Sequence, residues 1–527
     1  MYDLLFKNAV IIDGTGAPER RGNVAVSNGR IVLAPGEAVE TVDAGGKVLC
    51  PGFIDSHSHG DRILGTDYGR LCKTSQGITT EVVGQCGSTC FPVAPGKADL
   101  LVKYLGALPP SILNSIDGFT SFANYLNFVN AQQLTANCLM LTGHTALRLA
   151  VMGYDRRKPT DRELQKMREL LRECMEHGSL GLSTGLLYSP SRYADVDEVA
   201  ALCEVVAEYG GLYTTHMRDE SSHVVESVRE SLEVVRRTGV RLCISHHKIC
   251  GRQNWGLSEQ TLALIDEAVN DGFAVNYDVY PYTASMSKLS VCLPAYCFAG
   301  GTDALNKMLQ DPQQQALIKA QMTGDDPEFD GRYRHCGGFT GILISQAPET
   351  PEAEGMTIAE YAQKTGRDEF ETYFDLVVKN GAKGYGIYYS MCDEDLERIV
   401  AGPHGVIGSD GVVTSMHGKT HPRGWGTFPR AIRLFVKEKH LFDLPGMIRR
   451  MTSLTAEKLG LKDRGRIAEG LAADLLLLDF DKIGDTATYT DPAQLCEGIE
   501  CVVTNGKIVY RDKKLTGTNS GRFIPRP

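Results

Sequence analysis

Short apolar runs separated by turn residues fill both ends of the chain. Near the N-terminus they are LLFKNAVIID, NVAVSNGRIVLAPG and GGKVLCPG, and near the C-terminus ADLLLLDF (473–480) and CVVTNGKIVY (501–510). Strand-length runs bounded by Gly and Asn, without helical periodicity, are typical of β-structure, and the Asn505-Gly506 pair favours a hairpin turn. We therefore predict that residues 1–50 and 465–527 pair into one small β-sandwich.

Between these ends, strand-like apolar runs alternate with amphipathic segments. Apolar positions at helical spacing predict helices over 160–178 and 196–211. The strand-like runs are GFIDSHSH (52–59), TTEVVGQCG (79–87), CLMLTGH (138–144), SLGLSTGL (179–186), GLYTTHM (211–217), RLCISHH (241–247), FAVNYDVY (273–280) and GVIGSD (405–410). Strands joined by helical crossovers predict an α/β fold, a (β/α)₈ TIM-like barrel over residues 51–464.

One stretch interrupts this alternation. Residues from about 284 to 354 are richer in Gln, Pro, Asp and Gly, and they follow the seventh strand-like run. We interpret the stretch as an insertion at the C-terminal rim of the barrel, where long loops shape access of the substrate.

Composition excludes several classes of function. The 527 residues include 55 Lys+Arg and 65 Asp+Glu, a net charge of −10, which argues against a nucleic-acid groove or a polybasic membrane surface. We find no apolar stretch of about 18 residues, and the N-terminus lacks a basic region followed by an apolar core, so we expect neither a membrane span nor a secretion signal. The 15 cysteines are scattered, as is typical of buried thiols in a reducing cytoplasm.

Residues able to bind a metal stand at the ends of five strand-like runs. They are His57, His59, Cys86, His216, His246 and Asp410. In a barrel enzyme these strand ends meet at one mouth, and two residues spaced as His57 and His59 point the same way from a strand. Imidazole, thiolate and carboxylate are the usual ligands of zinc, and three protein ligands plus water make a catalytic site.

Each residue also has a simpler interpretation. A His-x-His pair arises by chance, His216 suits a hydrogen-bonded core histidine, Cys86 a small buried hydrophobe, and Asp410 a turn position. The order of the residues at successive strand ends, all on one face of the barrel, favours the metal site.

Several longer segments carry a specific resemblance. They are PGFIDSHSHGD (51–61), GITTEVVGQCG (77–87), GLSTGLLYSP (181–190), THMRDES (215–221), SHHK (245–248), YPYT (280–283), GSDG (408–411) and HPRGWGTFPR (421–430). Together they resemble the D-aminoacylase, or N-acyl-D-amino-acid deacylase, family of the amidohydrolase superfamily, over nearly the whole chain. Ser58 and Gly60 depart from the more usual Thr and Asp without removing a ligand.

The resemblance implies a zinc-dependent enzyme that removes the acyl group from N-acyl-D-amino acids, giving a carboxylate and a D-amino acid. It implies one tightly bound zinc, with a cysteine as bridging ligand in place of a carboxylated lysine, and a weaker second site. The tight site would use Cys86, His216 and His246, and the weaker one His57, His59 and Asp410. Zinc makes hydroxide available near neutral pH, and Asp410 would act as general acid and base.

An N-acyl amino acid presents a free α-carboxylate, which requires cationic or hydrogen-bonding partners. Our candidates are Arg423, Lys248, Tyr188 and Tyr282, because a guanidinium binds a carboxylate through two hydrogen bonds and phenols add orientation. The alternative is that Arg423 pairs with a surface acid and the tyrosines only pack. We predict supporting roles for His144 and His247, and His417 is a further loop residue within reach of a substrate.

Two rival functions differ in their sequence requirements. Cyclic-amide hydrolases of the dihydropyrimidinase or dihydroorotase type typically carry a bridging lysine on the fourth barrel strand, whereas SLGLSTGL has none. A catalytically silent barrel that serves as a binding scaffold tends to lose ligands, whereas all the candidate ligand positions are kept here.

Overall fold

The computed structural model describes residues 1–34, 36–298, 301–324, 331–416 and 419–527. Its strands, in chain order, are β1 (Tyr2–Ile11), β2 (Arg20–Ser27), β3 (Arg30–Val32), β4 (Ala38–Asp43), β5 (Val48–Pro51), β6 (Phe53–Asp55), β7 (Ile78–Val83), β8 (Asn137–Met140), β9 (Thr142–Gly143), β10 (Gly181–Gly185), β11 (Leu212–His216), β12 (Arg241–Ile244), β13 (Val275–Val279), β14 (Ser285–Lys288), β15 (Ile342–Gln346), β16 (Tyr385–Tyr388), β17 (Gly405–Ile407), β18 (Leu475–Leu478), β19 (Ile499–Thr504), β20 (Lys507–Arg511) and β21 (Lys514–Leu515).

The α-helices lie between and around these strands. They are α1 (Asp67–Thr74), α2 (Ala98–Leu105), α3 (Pro110–Leu113), α4 (Phe122–Asn130), α5 (His144–Val151), α6 (Asp161–Glu176), α7 (Val196–Glu208), α8 (Val224–Thr238), α9 (Ser258–Asn270), α10 (Gly301–Gln310), α11 (Pro312–Thr323), α12 (Arg332–His335), α13 (Ile358–Thr365), α14 (Glu369–Asn380), α15 (Asp393–Ala401), α16 (Arg423–Ile432), α17 (Leu444–Met451) and α18 (Ser453–Leu459). Across the described ranges, no helix combines the length and the apolar character needed to cross a bilayer.

Eight parallel strand positions form the central barrel, as predicted. Strands β6, β7 and β8 pair in that order, β9 continues β8 beyond Leu141, and β9 to β13 are followed by β17. The ring closes between its last and first strands, where Ser58 bridges Gly411 and the Asp410 N–H donates to the carbonyl of His57 at 2.8 Å. The strand residues are buried almost throughout, because the helices cover the outer face of the barrel.

Helix α6 illustrates how sequence produces the outer layer. Thr160 and Glu163 form a reciprocal capping box at its N-terminus, which satisfies two of the free backbone N–H groups. At helical spacing behind this cap, Met167, Leu171 and Met175 are buried, so one face of the helix packs against the barrel. The helix predicted over 160–178 is confirmed.

The two chain ends meet in one sheet of nine strands, ordered β21-β20-β19-β18-β5-β1-β2-β3 with β4 beside β1. The junction is antiparallel pairing of β18 with β5, where Leu476 faces Cys50. Asn505 and Gly506 adopt φ of 48° and 83° in the hairpin between β19 and β20, the conformation that an Asn-Gly turn favours. The prediction that both ends build one unit is confirmed, and hydrogen bonds make that unit a continuous sheet.

An excursion between β13 and β17 covers part of the barrel mouth. Its own antiparallel sheet has the order β14-β16-β15 and packs with helices around a separate apolar core that includes Ile318, Phe339 and Tyr373. We expected this insertion to end near residue 354, but β16 completes its sheet at Tyr385–Tyr388. The helical periodicity of α13 and α14 hid this extension, since it matches that of a barrel helix.

Candidate metal centre and active site

Six side chains that the sequence singles out meet at the mouth of the barrel. Their potential ligand atoms form two groups that share the Cys86 thiol, and within each group all atoms lie within 4.8 Å of one another. We call the first the Cys–His group, made of Cys86, His216 and His246. The second is the His–Asp group, in which the same thiol is joined by His57, His59 and Asp410.

The ends of the barrel strands position these residues. His216 is the last residue of β11, and the others follow their strands by two to four positions. Cys86, His246 and Asp410 adopt φ of 55°, 37° and 47°. A left-handed backbone costs a non-glycine residue on the order of 1–3 kcal/mol and is concentrated at functional sites. Here it turns three side chains sharply off their strands toward one point.

The Cys86 thiol lies at the centre of the arrangement. Its Sγ is 3.4 Å from Nε2 of His57 and 3.3 Å from Nε2 of His246. Burial by itself raises the pKa of a thiol, but the charges of His246 and His57 and hydrogen bonds to the ring nitrogens hold the pKa of Cys86 well below its usual value. These neighbours favour the thiolate form of Cys86, which is the form that binds a metal.

The other cysteines provide the contrast. All fifteen are described, and each is a buried free thiol. Burial raises the pKa of Cys50 and Cys203, for example, with no cation beside them to oppose it. The expectation of buried thiols without disulfides is confirmed, and Cys86 differs from the rest by its histidine neighbours.

A carboxylate orients the Cys–His group. Glu220 Oε1 lies 3.0 Å from Nδ1 of His246, and its Oε2 lies 3.6 Å from Nε2 of His216. With Nδ1 beside Glu220, Nε2 of His246 faces the Cys86 thiol, and its lone pair becomes available to a metal once the Nε2 proton is displaced. Lys248 also pairs with Glu220 and lies 2.7 Å from Nδ1 of His246.

A second carboxylate plays the same part in the His–Asp group. Asp278 Oδ2 lies 3.1 Å from Nδ1 of His57, and its Oδ1 accepts the backbone N–H of His246 at 2.7 Å. Asp278 therefore fixes the ring of one group and the backbone of the other.

Asp410 is the only carboxylate ligand within the two groups as the structure describes them. Its Oδ1 lies 3.2 Å from Nε2 of His59 and 3.6 Å from Nε2 of His57, and its Oδ2 accepts from Arg423 at 2.8 Å. Burial opposes ionisation of Asp410, but the Arg423 guanidinium and the surrounding imidazoles hold its pKa well below the usual range. Asp410 is thus ionised, and its Oδ2 already accepts a hydrogen bond from Arg423.

Three of the four predicted substrate residues border the metal groups. The Tyr188 ring centroid is 4.8 Å from that of His216, Lys248 contacts the Cys–His group, and Arg423 contacts Asp410. Arg423 also keeps a buried Nε without a hydrogen-bond partner among the described residues. This N–H group can therefore donate to a bound substrate.

Tyr282 lies farther along the wall of the mouth. Its ring packs on His421, with ring centroids 5.0 Å apart, and under the Arg430 guanidinium at 4.5 Å. Its neighbour in the YPYT segment, Tyr280, lies beneath Arg423 at 4.7 Å and has a buried hydroxyl with no hydrogen-bond partner among the described residues. Tyr280 is therefore an additional candidate.

The remaining histidines have separate positions. His247 donates to or accepts from Thr261 at 2.9 Å, on the other side of its strand from the metal groups. His144 lies between Ser191 and Glu198 at 3.0 and 2.9 Å. Both contacts agree with the supporting roles predicted for these two residues, and His417 lies outside the described residues.

The comparisons with known proteins agree with this geometry. The model described as "Amidohydrolase family" matches residues 40–510. D-aminoacylase of Alcaligenes xylosoxydans xylosoxydans is 34% identical, over 100% of this chain and 98% of its own. The chain belongs to the D-aminoacylase family of amidohydrolases.

Two further family members extend the comparison. The N-acyl-D-glutamate deacylase of the same organism is 35% identical over 96% of this chain and 93% of its own. The solved structure of N-acyl-D-glutamate deacylase from Bordetella bronchiseptica, complexed with zinc and a phosphonate mimic of the tetrahedral intermediate, is 33% identical, covers 100% of both chains and has a TM-score of 0.82.

The potential ligand atoms of this protein suit zinc. Two imidazole nitrogens and one thiolate form a set that favours zinc over magnesium or calcium, and both nitrogens of the Cys–His group are buried. The pKa values of His57 and His246 are raised, the latter to about 9, since the Cys86 thiolate and nearby carboxylates outweigh burial. The imidazoles thus hold protons that a cation would replace. Strand β10, the fourth of the barrel, contains no lysine over Gly181–Gly185.

Sequence reasoning missed three functional candidates. Glu220 and Asp278 orient the imidazoles, and Arg332 reaches the site from the excursion, 3.9 Å from Glu220. Asp278 is the single acid of the strand-like run FAVNYDVY, and Glu220 lies within the THMRDES segment. No sequence pattern pointed to Arg332, because the internal structure of the excursion could not be predicted from its sequence.

Proposed function

We propose that the protein is a zinc-dependent amide hydrolase that cleaves N-acyl-D-amino acids to a carboxylate and a D-amino acid, through the residues of the two metal groups. The observation that carries this proposal is the Cys86 thiolate shared by the two groups at the barrel mouth. Family membership, with relatives named as deacylases of D-amino acid derivatives, gives the reaction class.

Zinc, when bound by Cys86, His216 and His246, supplies Lewis-acid activation of water and of the scissile carbonyl. The weaker site would use His57, His59 and Asp410. Glu220 and Asp278 keep the ring nitrogens of His246 and His57 directed at the site through their Nδ1 contacts. These residues set the geometry before a substrate arrives.

Asp410 is the proposed general acid and base. As an ionised carboxylate, it accepts a proton from the attacking water while oxygen adds to the carbonyl carbon. It then delivers that proton to the amide nitrogen as the C–N bond breaks. Arg423, which holds Oδ2 of Asp410, keeps Oδ1 as the oxygen available for this transfer.

The α-carboxylate of the substrate would lie on the side of the mouth formed by the sixth to eighth strands. Arg423 offers its buried Nε there, with the hydroxyl of Tyr280 beside it. Lys248 flanks the Cys–His group on this side, and Tyr282 continues the wall. Tyr188 follows the fourth strand and contacts the ring of His216. A guanidinium and phenols are suited to binding and orienting a carboxylate.

The test is hydrolysis by zinc-loaded protein of a panel of N-acetyl-D-amino acids, with their L-enantiomers and dihydrouracil as comparisons. We expect stoichiometric acetate and D-amino acid, with activity lost on chelation and restored by zinc. Faster hydrolysis of the L-enantiomers, or of dihydrouracil, would overturn the proposal.

We also propose that the protein works in the cytoplasm. The support is that all fifteen cysteines are buried and reduced, including the thiol that serves as a ligand. Fractionation of cells that make the protein would test the location, and recovery outside the cytoplasmic fraction would contradict it.

A further inference from the structure

Two cationic side chains without carboxylate partners lie on the other side of the barrel mouth. Arg62 ends the turn Gly60–Arg62 that follows His59, and Lys288 is the last residue of β14 in the excursion. Among the described residues, neither cation forms an ion pair within 4.0 Å, and the acid whose pKa Arg62 affects is its chain neighbour Asp61, where burial raises the pKa and Arg62 opposes that rise. Most of the other buried cations of the mouth, such as Lys73, Lys248 and Arg423, do form an ion pair with a carboxylate.

The two cations act on each other. Burial, and then the charge of Arg62, lower the pKa of the Lys288 ammonium. Arg62 donates from Nη2 to Ser88, and its Nε is buried without a hydrogen-bond partner in the part of the chain that the structure describes. Two like charges in a half-buried position destabilise the free protein, and an anion between them removes that cost.

The contacts of Arg62 place this pair beside the metal groups. Arg62 follows the candidate ligand His59 by three residues, and it donates to Ser88, which lies two residues past Cys86. Lys288 lies within reach of the Arg62 charge. The Arg62–Lys288 pair therefore lies at the rim of the site that the ligands form.

The order of the barrel strands separates this pair from the residues proposed for the α-carboxylate. Arg62 and Ser88 follow the first and second strands, whereas Lys248 and Tyr280 follow the sixth and seventh. Arg423 follows the eighth strand, and its guanidinium lies over the Tyr280 ring. In an eight-stranded barrel the second strand faces the sixth across the axis. A substrate whose amide lies over the shared thiolate thus has its α-carboxylate on one side and its acyl chain toward the Arg62–Lys288 pair.

We propose that Arg62 and Lys288 form a binding site for a second carboxylate of the substrate, carried by the acyl group, so that the preferred substrates are N-(ω-carboxyacyl)-D-amino acids such as N-succinyl derivatives. This inference rests on the proposed function, since it names the substrate class of the same site. An acidic D-amino acid side chain offers the same chemistry, and the test separates the two sources.

The experiment compares kcat/KM of the zinc-loaded protein for N-succinyl-D-alanine, N-acetyl-D-alanine and N-acetyl-D-glutamate. We expect the succinyl compound to exceed the acetyl compound by roughly 10-fold or more, the effect of a charge-assisted contact. Preference for N-acetyl-D-glutamate would assign the pair to the side-chain carboxylate. Preference for N-acetyl-D-alanine over both would overturn the inference.

Variants test the residues themselves. Lys288→Met should lower the ratio of succinyl to acetyl kcat/KM by roughly 10-fold, and Lys288→Arg, which keeps the cation, should retain most of the ratio. Lys364→Met removes an exposed lysine of α13 and is the matched control, with both values unchanged. An unaltered ratio in Lys288→Met would contradict the assignment.

A binding measurement keeps the inference separate from the proposed function. Calorimetric titration of zinc-loaded protein with succinate or acetate requires no turnover. We expect succinate to bind at least about 10-fold more tightly than acetate, and Lys288→Met to remove the difference. If no N-acyl-D-amino acid is hydrolysed, the proposed function fails, and the succinate titration still decides whether the pair binds a carboxylate.

Discussion

The Cys–His group and the His–Asp group share a thiolate but differ in what surrounds their other ligands. In the Cys–His group, Glu220 contacts both imidazoles from outside, is not itself a ligand, and is paired with Lys248. In the His–Asp group the carboxylate is itself a ligand, and Arg423 already pairs with it. A cation entering the second group competes with a guanidinium, whereas one entering the first does not.

This difference bears on which group retains zinc and which group transfers protons. Arg423 and the imidazoles keep the Asp410 carboxylate ionised, so it carries no proton before a substrate binds, as a general base requires. Retaining a second metal tightly on the same carboxylate would occupy the oxygen that proton transfer needs. We therefore expect the Cys–His group to retain zinc and the His–Asp group to provide the acid–base function.

The largest effect should come from the residue that the groups share. We expect Cys86→Ala to abolish tight zinc retention and activity together, because both groups lose their thiolate. The measurement is metal analysis after exhaustive dialysis, alongside turnover of an N-acetyl-D-amino acid. Cys203→Ala removes a buried thiol of α7 as the matched control and should keep its zinc. Full zinc and activity in Cys86→Ala would show that the ligand assignment is wrong.

The next change separates the groups. We expect Asp410→Asn to retain the tightly held zinc while kcat falls by roughly 10²–10⁴, the usual loss when a general acid–base is removed. Metal content and steady-state kinetics on the same preparation check both parts. A near-normal kcat would remove Asp410 from the mechanism.

Glu220 and Asp278, the carboxylates behind the imidazoles, allow a direct comparison of the two metal groups. We expect Glu220→Gln to weaken zinc affinity by roughly 10–100-fold, measured by competition with a chromogenic chelator, since it orients the retaining group. Asp278→Asn, the matched change in the other group, should weaken binding of the first zinc less. Equal losses, or the reverse order, would contradict the assignment of the tight site.

The smallest expected effect is mainly on substrate binding. We expect Arg423→Ala to raise KM for N-acyl-D-amino acids by roughly 10-fold, with a smaller loss in kcat from the altered Asp410 contact. Arg168→Ala, which removes an arginine of the outer helix α6 that pairs with Glu204, is the control and should leave KM near normal. An unchanged KM with full kcat would reject Arg423 as a carboxylate ligand.

Local chemistry in the sequence was enough to predict the barrel and the meeting of six candidate ligands at its mouth. Apolar runs of strand length, helices with a capped start such as Thr160, and ligand residues placed just past each strand all act over a few neighbouring residues. Where parallel strands form a barrel, their ends must meet, so the meeting of Cys86 with His216 and His246 was predictable.

Contacts between segments distant in sequence were decided only by the tertiary structure. Glu220 and Asp278 lie behind the imidazoles. Arg332 and Lys288 both reach the site from the excursion, and Lys288 lies near Arg62. None of these pairings follows from periodicity or spacing, since each depends on how loops fold over the strand ends. The sequence by itself determined which atoms can hold a metal, and the packed fold determined their charge, their orientation and which neighbours stay unpaired.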